Sequence, residues 1–188
     1  MADVKSRNIA VLATDGFEQS ELTEPVKALR AAGAKVQVVA PSAGEIQGMN
    51  HAQKAGKTTV DLELSKAHAE DFDALVLPGG VANPDTLRIN SQAIAFIRAF
   101  AKAGKPIAAI CHGPWTLIEA DAVRGRRVTS WPSLHTDLEN AGATWVDQEV
   151  VVDGNLVTSR KPEDLPAFNR EFLHVLEQDK AAPARRAS

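Results

Sequence analysis

Residues 8–40, NIAVLATDGFEQSELTEPVKALRAAGAKVQVVA, decide the class of fold. Residues 8–13 (NIAVLA) are a continuous apolar run, the pattern of a strand covered on both faces, and Thr14-Asp15-Gly16 ends it with turn formers. Over residues 20–32, Leu22, Val26 and Leu29 recur at helical spacing and Gly33 stops the pattern. Pro25 has no N–H to give and belongs near the helix start or at a kink. Residues 35–40 (KVQVVA) read as a second strand. Strand, helix and strand make a βαβ unit, whose crossover is right-handed and whose strands lie parallel.

The alternation continues outward from that unit. Residues 73–77 (DALVL) are a third strand, followed by Pro78-Gly79-Gly80 at the carboxyl end, where open α/β sheets place their ligands. A helix over residues 91–103, with Ile94, Ile97 and Phe100 on one side, stops at Gly104, and residues 106–110 give a fourth strand. Residues 41–56 are rich in Gly, Ser, Asn and Gln and read as a loop with a short hairpin reaching Val60. Beyond the fourth strand, shorter strands are expected near Val128 and Trp145, and over residues 149–152 and 156–159, the last two forming an edge hairpin at Asp153-Gly154. Residues 162–178 form the closing helix, burying Leu165, Phe168, Phe172, Val175 and Leu176. The expectation is one α/β domain over residues 1–188, its core about 8–178 and residues 179–188 a frayed tail.

Composition narrows the function. A hydrophobic fraction of 44% with 24% charged residues excludes disorder as the main state, and a net charge of −3 argues against a nucleic-acid partner. The basic clusters at Arg124, Arg126 and Arg127 and at Arg185 and Arg186 have no aromatic residues alternating with them and read as solvated. Residues 1–8 lack the apolar core of a signal peptide and no run is long enough to span a bilayer, so a cytoplasmic protein away from membranes is expected. One cysteine cannot form an internal disulfide, which fits a reducing compartment and leaves a free thiol to explain.

That thiol lies in KPIAAICHGPWTL, residues 105–117. An apolar strand runs into Cys111-His112, and Gly113-Pro114 starts a helix, so Cys111 sits on a sharp strand-to-helix turn. The unpaired N–H groups of a helix start favour an anion, so a lowered thiol pKa is expected, although a lone cysteine can also be a small core residue. Three carboxyl strand ends then converge, carrying Glu18, Gly79-Gly80 and Cys111. Glu18 reads either as a proton-transfer partner of the sulfur or as an acid favoured at a helix start. Gly79 and Gly80 read either as a plain turn or as a place where backbone N–H groups approach an oxyanion. His112 suggests a Cys-His dyad, but neighbours on an elbow need not point the same way. His51, His68, His135 and His174 show no ligand spacing and read as surface or core residues, and no metal site or cofactor is expected.

Four blocks together resemble the PfpI family: Phe17-Glu18-Gln19-Ser20-Glu21 with its second acid three residues on, FDALVLPGG at 72–80, GKPIAAICHGP at 104–114 and VVVDGNLVTSR at 150–160. That family includes intracellular cysteine proteases, protein deglycases and cofactor-independent glyoxalases of the class I glutamine-amidotransferase-like superfamily. The resemblance implies a flavodoxin-like three-layer sandwich with a mainly parallel central sheet and a nucleophile elbow. It further implies Cys111 as nucleophile, Glu18 hydrogen-bonded to its sulfur, and Gly79 and Gly80 with the elbow amides, Gly113 among them, as oxyanion hole. Asp85, shortly after the paired glycines, would complete His112 of a neighbouring subunit in a homodimer or hexamer.

Three functions compete. The first is a glyoxalase or deglycase of stress protection, in which Cys111 adds to a small dicarbonyl or to an early glycation adduct on protein. The second is an intracellular cysteine peptidase, and the third is an oxidative-stress sensor or chaperone working through Cys111 oxidation.

Overall fold

The computed structural model describes residues 4–179 of the chain. In chain order its elements are β1 Asn8–Leu12, β2 Phe17–Glu18, α1 Gln19–Ala31, β3 Lys35–Ala40, β4 Glu45–Asn50, β5 Gln53–Thr59 and β6 Leu62–Glu63. They continue with β7 Ala74–Leu77, α2 Ala82–Arg88, α3 Ser91–Lys102, β8 Ile107–Ile110, α4 Pro114–Glu119, β9 Arg127–Val128 and α5 His135–Asn140. The last are β10 Thr144–Trp145, β11 Val150–Asp153, β12 Leu156–Ser159 and α6 Leu165–Gln178.

Seven strands form the central sheet in the order β11-β12-β8-β7-β1-β3-β6. All neighbours are parallel except β11 and β12, the antiparallel edge hairpin that turns at Asp153-Gly154. The apolar runs of β1, β7 and β8 are explained by cover on both sides. Alternate residues of β1 serve two cores: Ile9 and Val11 pack with Val26 and Leu29 of α1 and Phe168 and Phe172 of α6. Ala10 and Leu12 pack on the other face with Ile94, Ile97 and Phe100 of α3 and Leu117 of α4. Helices on both faces of a mainly parallel sheet make the three-layer sandwich expected of the sequence. No helix among the described residues is long and apolar enough to cross a membrane.

Four local expectations change. Residues 41–56 hold a regular hairpin rather than mostly loop: β4 pairs antiparallel with β5 and parallel with β2, forming a small second sheet beside the first. Its residues are mostly solvent-facing, so the apolar alternation that reveals a half-buried strand is missing. Pro25 lies inside α1, not at its start, where its missing N–H leaves the backbone carbonyl of Glu21 without its helical donor. Arg126 is not simply solvated: its guanidinium reaches Asp153 and Asn155 and ties β9 to the edge hairpin. Asp179 is not frayed either, since its carboxylate accepts from the buried Arg7 at 2.9 Å; residues 180–188, and Arg185 and Arg186 with them, lie outside the described residues.

The carboxyl ends of β1 and β7 are joined by one side chain. Asn83, fully buried near the start of α2, accepts from Thr14 N–H at 2.8 Å and donates to the carbonyls of Pro78 (2.9 Å) and Gly79 (3.0 Å). Removing it strands one donor and two acceptors away from water. Asn83→Ala should therefore cost about 2–3 kcal/mol in urea denaturation; a loss under about 0.5 kcal/mol would show that water or neighbouring groups take its place.

Candidate active site

Cys111 follows β8 with φ of 61°, a left-handed conformation that costs a non-glycine residue energy. Backbone contacts on both sides enforce it: its N–H donates to Ser159 O at 3.0 Å, and its carbonyl accepts from Trp131 N–H at 2.9 Å. Gly113 and Pro114 then begin α4, which is only six residues long. Gly79 lies directly against this elbow. A Cβ there would stand 2.6 Å from both Cys111 Cβ and Glu21 Oε2 and 2.9 Å from His112 N, so only glycine permits the approach.

The carboxyl group against the sulfur is Glu21, not Glu18. Glu21 is fully buried in the first turn of α1; its Oε2 accepts from Gly79 N–H at 2.9 Å and its side chain interacts with the Cys111 thiol. Burial pushes its pKa up to about 8, opposed by the Gly79 hydrogen bond and reinforced by the neighbouring Glu18 charge. Glu18, the last residue of β2, lines the mouth of the same cavity, where its Oε2 accepts from the backbone N–H of His51 at 3.0 Å. The Phe17-Glu18-Gln19-Ser20-Glu21 block contained both acids, and the three-residue spacing was the available signal. Nearly one helical turn apart, they face the same side, and only depth separates them.

Two glycines depart from their expected role. The Gly79 N–H is taken by Glu21 and the Gly113 N–H by Ile110 O at 2.9 Å, so neither amide is free for an oxyanion. The donors that reach the sulfur are the N–H groups of Gly80 and His112. The expected lowering of the thiol pKa is also reversed. Burial first, then the Glu21 charge, pushes Cys111 up against those two N–H groups, and a six-residue α4 offers little macrodipole to help. Below about 8, where Glu21 is neutral, its charge no longer opposes the thiolate.

His112 does turn toward the cysteine, with Nδ1 3.2 Å from Sγ. Its ring is stacked on Trp131 at 5.9 Å and meets the edge of Trp115 at 5.1 Å, while Nε2 lies 3.5 Å from Ser133 Oγ. Burial lowers its pKa, so the ring is neutral near pH 7. Asp85 projects from the exposed side of α2 and is not part of this chain's cavity. The cavity, about 450 Å³, is lined by Glu18, Glu21, Gly80, Cys111, His112 and Trp131 together with His51, Ala52, Val81 and Pro162. His51, which shows no ligand spacing in the sequence, reaches the site because the β4–β5 turn, at a φ of 54°, folds over Glu18.

Glu21 makes stability depend on pH. Its folded value is raised above the unfolded one of 4.5, so the folded state binds more protons between about 4.5 and about 8. Stability from this group is fully present below about 4.5 and lost as pH rises through about 8. Wild type should lose a few kcal/mol across that window in urea titrations, and Glu21→Gln should flatten the profile. Parallel profiles would place the Glu21 proton elsewhere.

Comparison with known proteins gives the family. The DJ-1/PfpI family model matches residues 7–175. "Protein/nucleic acid deglycase 2" of Escherichia coli (strain K12) is 47% identical, over 91% of this chain and 98% of that protein. "Putative cysteine protease YraA" of Bacillus subtilis (strain 168) is 47% identical, over 91% of this chain and 99% of the relative. The crystal structure of Drosophila melanogaster DJ-1beta superposes with a TM-score of 0.83 at 30% identity, covering 93% of this chain and 92% of that one. A family model spanning most of the chain, joined to an elbow cysteine held between Glu21 and His112, places this protein in the DJ-1/PfpI family.

Proposed function

We propose that the protein is a cofactor-independent, cytoplasmic cysteine enzyme of stress protection that acts on small dicarbonyls or early glycation adducts. The observation that carries this reading is the fully buried Glu21 carboxyl, raised to about 8, lying against the Cys111 thiol. A group poised near neutral pH can both take and return a proton, which is what carbonyl addition followed by proton transfer between adjacent carbons requires. Cys111 sulfur forms a bond to the aldehyde carbon of methylglyoxal as the thiol proton passes to the carbonyl oxygen, giving a hemithioacetal. Glu21 as carboxylate removes the proton on that carbon and returns it to the neighbouring carbon, while the hydroxyl proton passes to the former ketone oxygen, leaving a lactoyl thioester. Water cleaves the thioester to lactate and restores the thiol. Gly80 and His112 N–H groups are the donors available to the oxygen anions along this path.

A peptidase is the second reading, favoured by the 3.2 Å approach of His112 Nδ1 to Sγ. Amide cleavage needs an acid to protonate a leaving amine. His112 is kept neutral by burial, and its far nitrogen faces a serine hydroxyl at 3.5 Å rather than a carboxylate of this chain. A second copy could supply that acid. Asp85 is exposed between Val81 and Ile89, apolar side chains 59% and 86% exposed, a surface suited to burial in a homodimer or hexamer.

Steady-state kinetics on methylglyoxal beside a casein or fluorogenic-peptide assay separates these readings. Cys111→Ala should abolish dicarbonyl turnover, Glu21→Gln should lower it by at least about 100-fold, and His112→Ala by less. Peptide cleavage without dicarbonyl turnover would make the chain a peptidase. For Asp85, mixing Cys111→Ala with Asp85→Ala subunits should restore activity once subunits have exchanged, since a hybrid site pairs an intact Cys111 with an intact Asp85. No recovery, or a fully active monomer by light scattering, removes Asp85 from the site.

A further inference from the structure

The cavity over Cys111 holds two carboxyl groups, and the chemistry above uses one. Glu18 is 8% exposed, lines the cavity, and has no Lys, Arg or His side chain in ion-pair contact among the described residues. Among the described residues its one side-chain hydrogen bond is from the backbone N–H of His51, a neutral donor that fixes the carboxyl without cancelling its charge. A nearly buried carboxylate without a counter-charge is costly, and the cost falls when a cation enters from outside. Among the described residues, every other acid with so little exposure is engaged: Asp73 receives Asn8 N–H and lies 3.9 Å from Arg7, and Asp164 is bound by Arg160. Glu21 is relieved by holding a proton. Glu18 is the exception, and it faces the space a substrate must occupy.

The remaining walls agree. Trp131 contributes an aromatic ring to the same cavity, and rings attract cations through their quadrupole; Val81, Ala52 and Pro162 are neutral, burial disfavours the charged form of His112, and His51 is the other basic side chain there, with no Lys or Arg among the lining residues. We infer that Glu18 is a cation-recognition residue, selecting carbonyl substrates that carry a protonated amine or guanidinium close to the carbon attacked by Cys111. This rests on the reading of Cys111 as a carbonyl-adding nucleophile. It deepens that reading by separating two substrate classes: an adduct still attached to an amine bears the cation, whereas a free small dicarbonyl does not. Glu18 therefore biases the site toward adducts on basic side chains.

Because Cys111 is the chain's only cysteine, thiol labelling reports on this cavity without turnover. The probes are two methanethiosulfonates of matched shape, one ending in trimethylammonium-ethyl and the other in neohexyl, each rate divided by its rate with free cysteine. At low salt and below the Glu21 midpoint of about 8, wild type should favour the cationic reagent by about tenfold. Glu18→Gln, which keeps an acceptor for His51 N–H, should bring the ratio near one, and Glu18→Lys should invert it. An unchanged ratio in a folded Glu18→Gln protein overturns the inference. The turnover arm uses trimethylammoniomethyl ketoaldehyde and its neopentyl isostere. If neither is consumed while the labelling preference persists, dicarbonyl turnover falls and cation recognition stands. If both are consumed with the same ratio of kcat/KM in wild type and Glu18→Gln, cation recognition falls and dicarbonyl turnover stands.

Discussion

A carboxyl group buried away from solvent and pressed against a thiol is the constraint that the site depends on. Glu21 is fully buried, and its Oε1 has no nitrogen or oxygen partner among the described residues. Two acidic groups in contact in such a place cannot both ionise readily, so Glu21 and Cys111 titrate as a pair rather than singly. The backbone around them is arranged to make the contact possible. Gly79 offers an N–H to Glu21 and no side chain to keep the elbow away. Asn83 fixes the Gly79 carbonyl, and the strained Cys111 is pinned from Ser159 and Trp131. The strain persists because both peptide groups flanking it are already committed to neighbouring segments.

The same constraint divides labour between two acids three residues apart. Glu18 ends β2 and Glu21 sits in the first turn of α1, so one geometry delivers two carboxyls to one cavity at different depths. The deeper one loses its charge to burial and becomes a proton carrier; the shallower one is held by a backbone N–H beside the entrance. Exchanging their roles would need the β2–α1 junction to shift by nearly a turn. The contacts of Gly80 with Gly16 and Glu18 leave no room for that, since a Cβ at Gly80 would already stand 2.2 Å from Gly16 O.

Most of the sandwich was legible because its strands are buried on both faces and its helices show one apolar side. β1, β3, β7 and β8 are near-continuous apolar runs, and α3 and α6 carry their phenylalanines at helical spacing. The β4–β5 hairpin is legible only as a short hairpin within a loop, because β5 faces solvent along most of its length and carries no apolar period, while β4 buries Ile46. His51 is not legible as a site residue, since that hairpin's turn brings it to Glu18. Cys111 and His112 could be named from the elbow pattern. Spacing does not report depth, so the sequence points to Glu18 as the sulfur's partner where the fold puts Glu21. Backbone amides posed the same difficulty: that Gly79 and Gly113 are already occupied is visible only when their acceptors are in place.

Burial also bears on which bonds this cysteine can break. A thiolate attacking an amide must be followed by protonation of nitrogen, and the nearest candidate is an imidazole whose burial between two tryptophans disfavours its charged form. Adding to an aldehyde makes no such demand, because the product oxygen needs only a hydrogen-bond donor and one proton, both within reach of Gly80, His112 N–H and Glu21. The next step, moving a proton between carbons, is suited to a carboxyl near 8, which is a stronger base than an ordinary glutamate and still an acid at neutral pH. The burial that raises the thiol thus disfavours the harder reaction and equips Glu21 for the easier one. Supplying His112 with a carboxylate from a second copy would reverse part of this bias by stabilising the imidazolium, so assembly and reaction type are coupled through one ring.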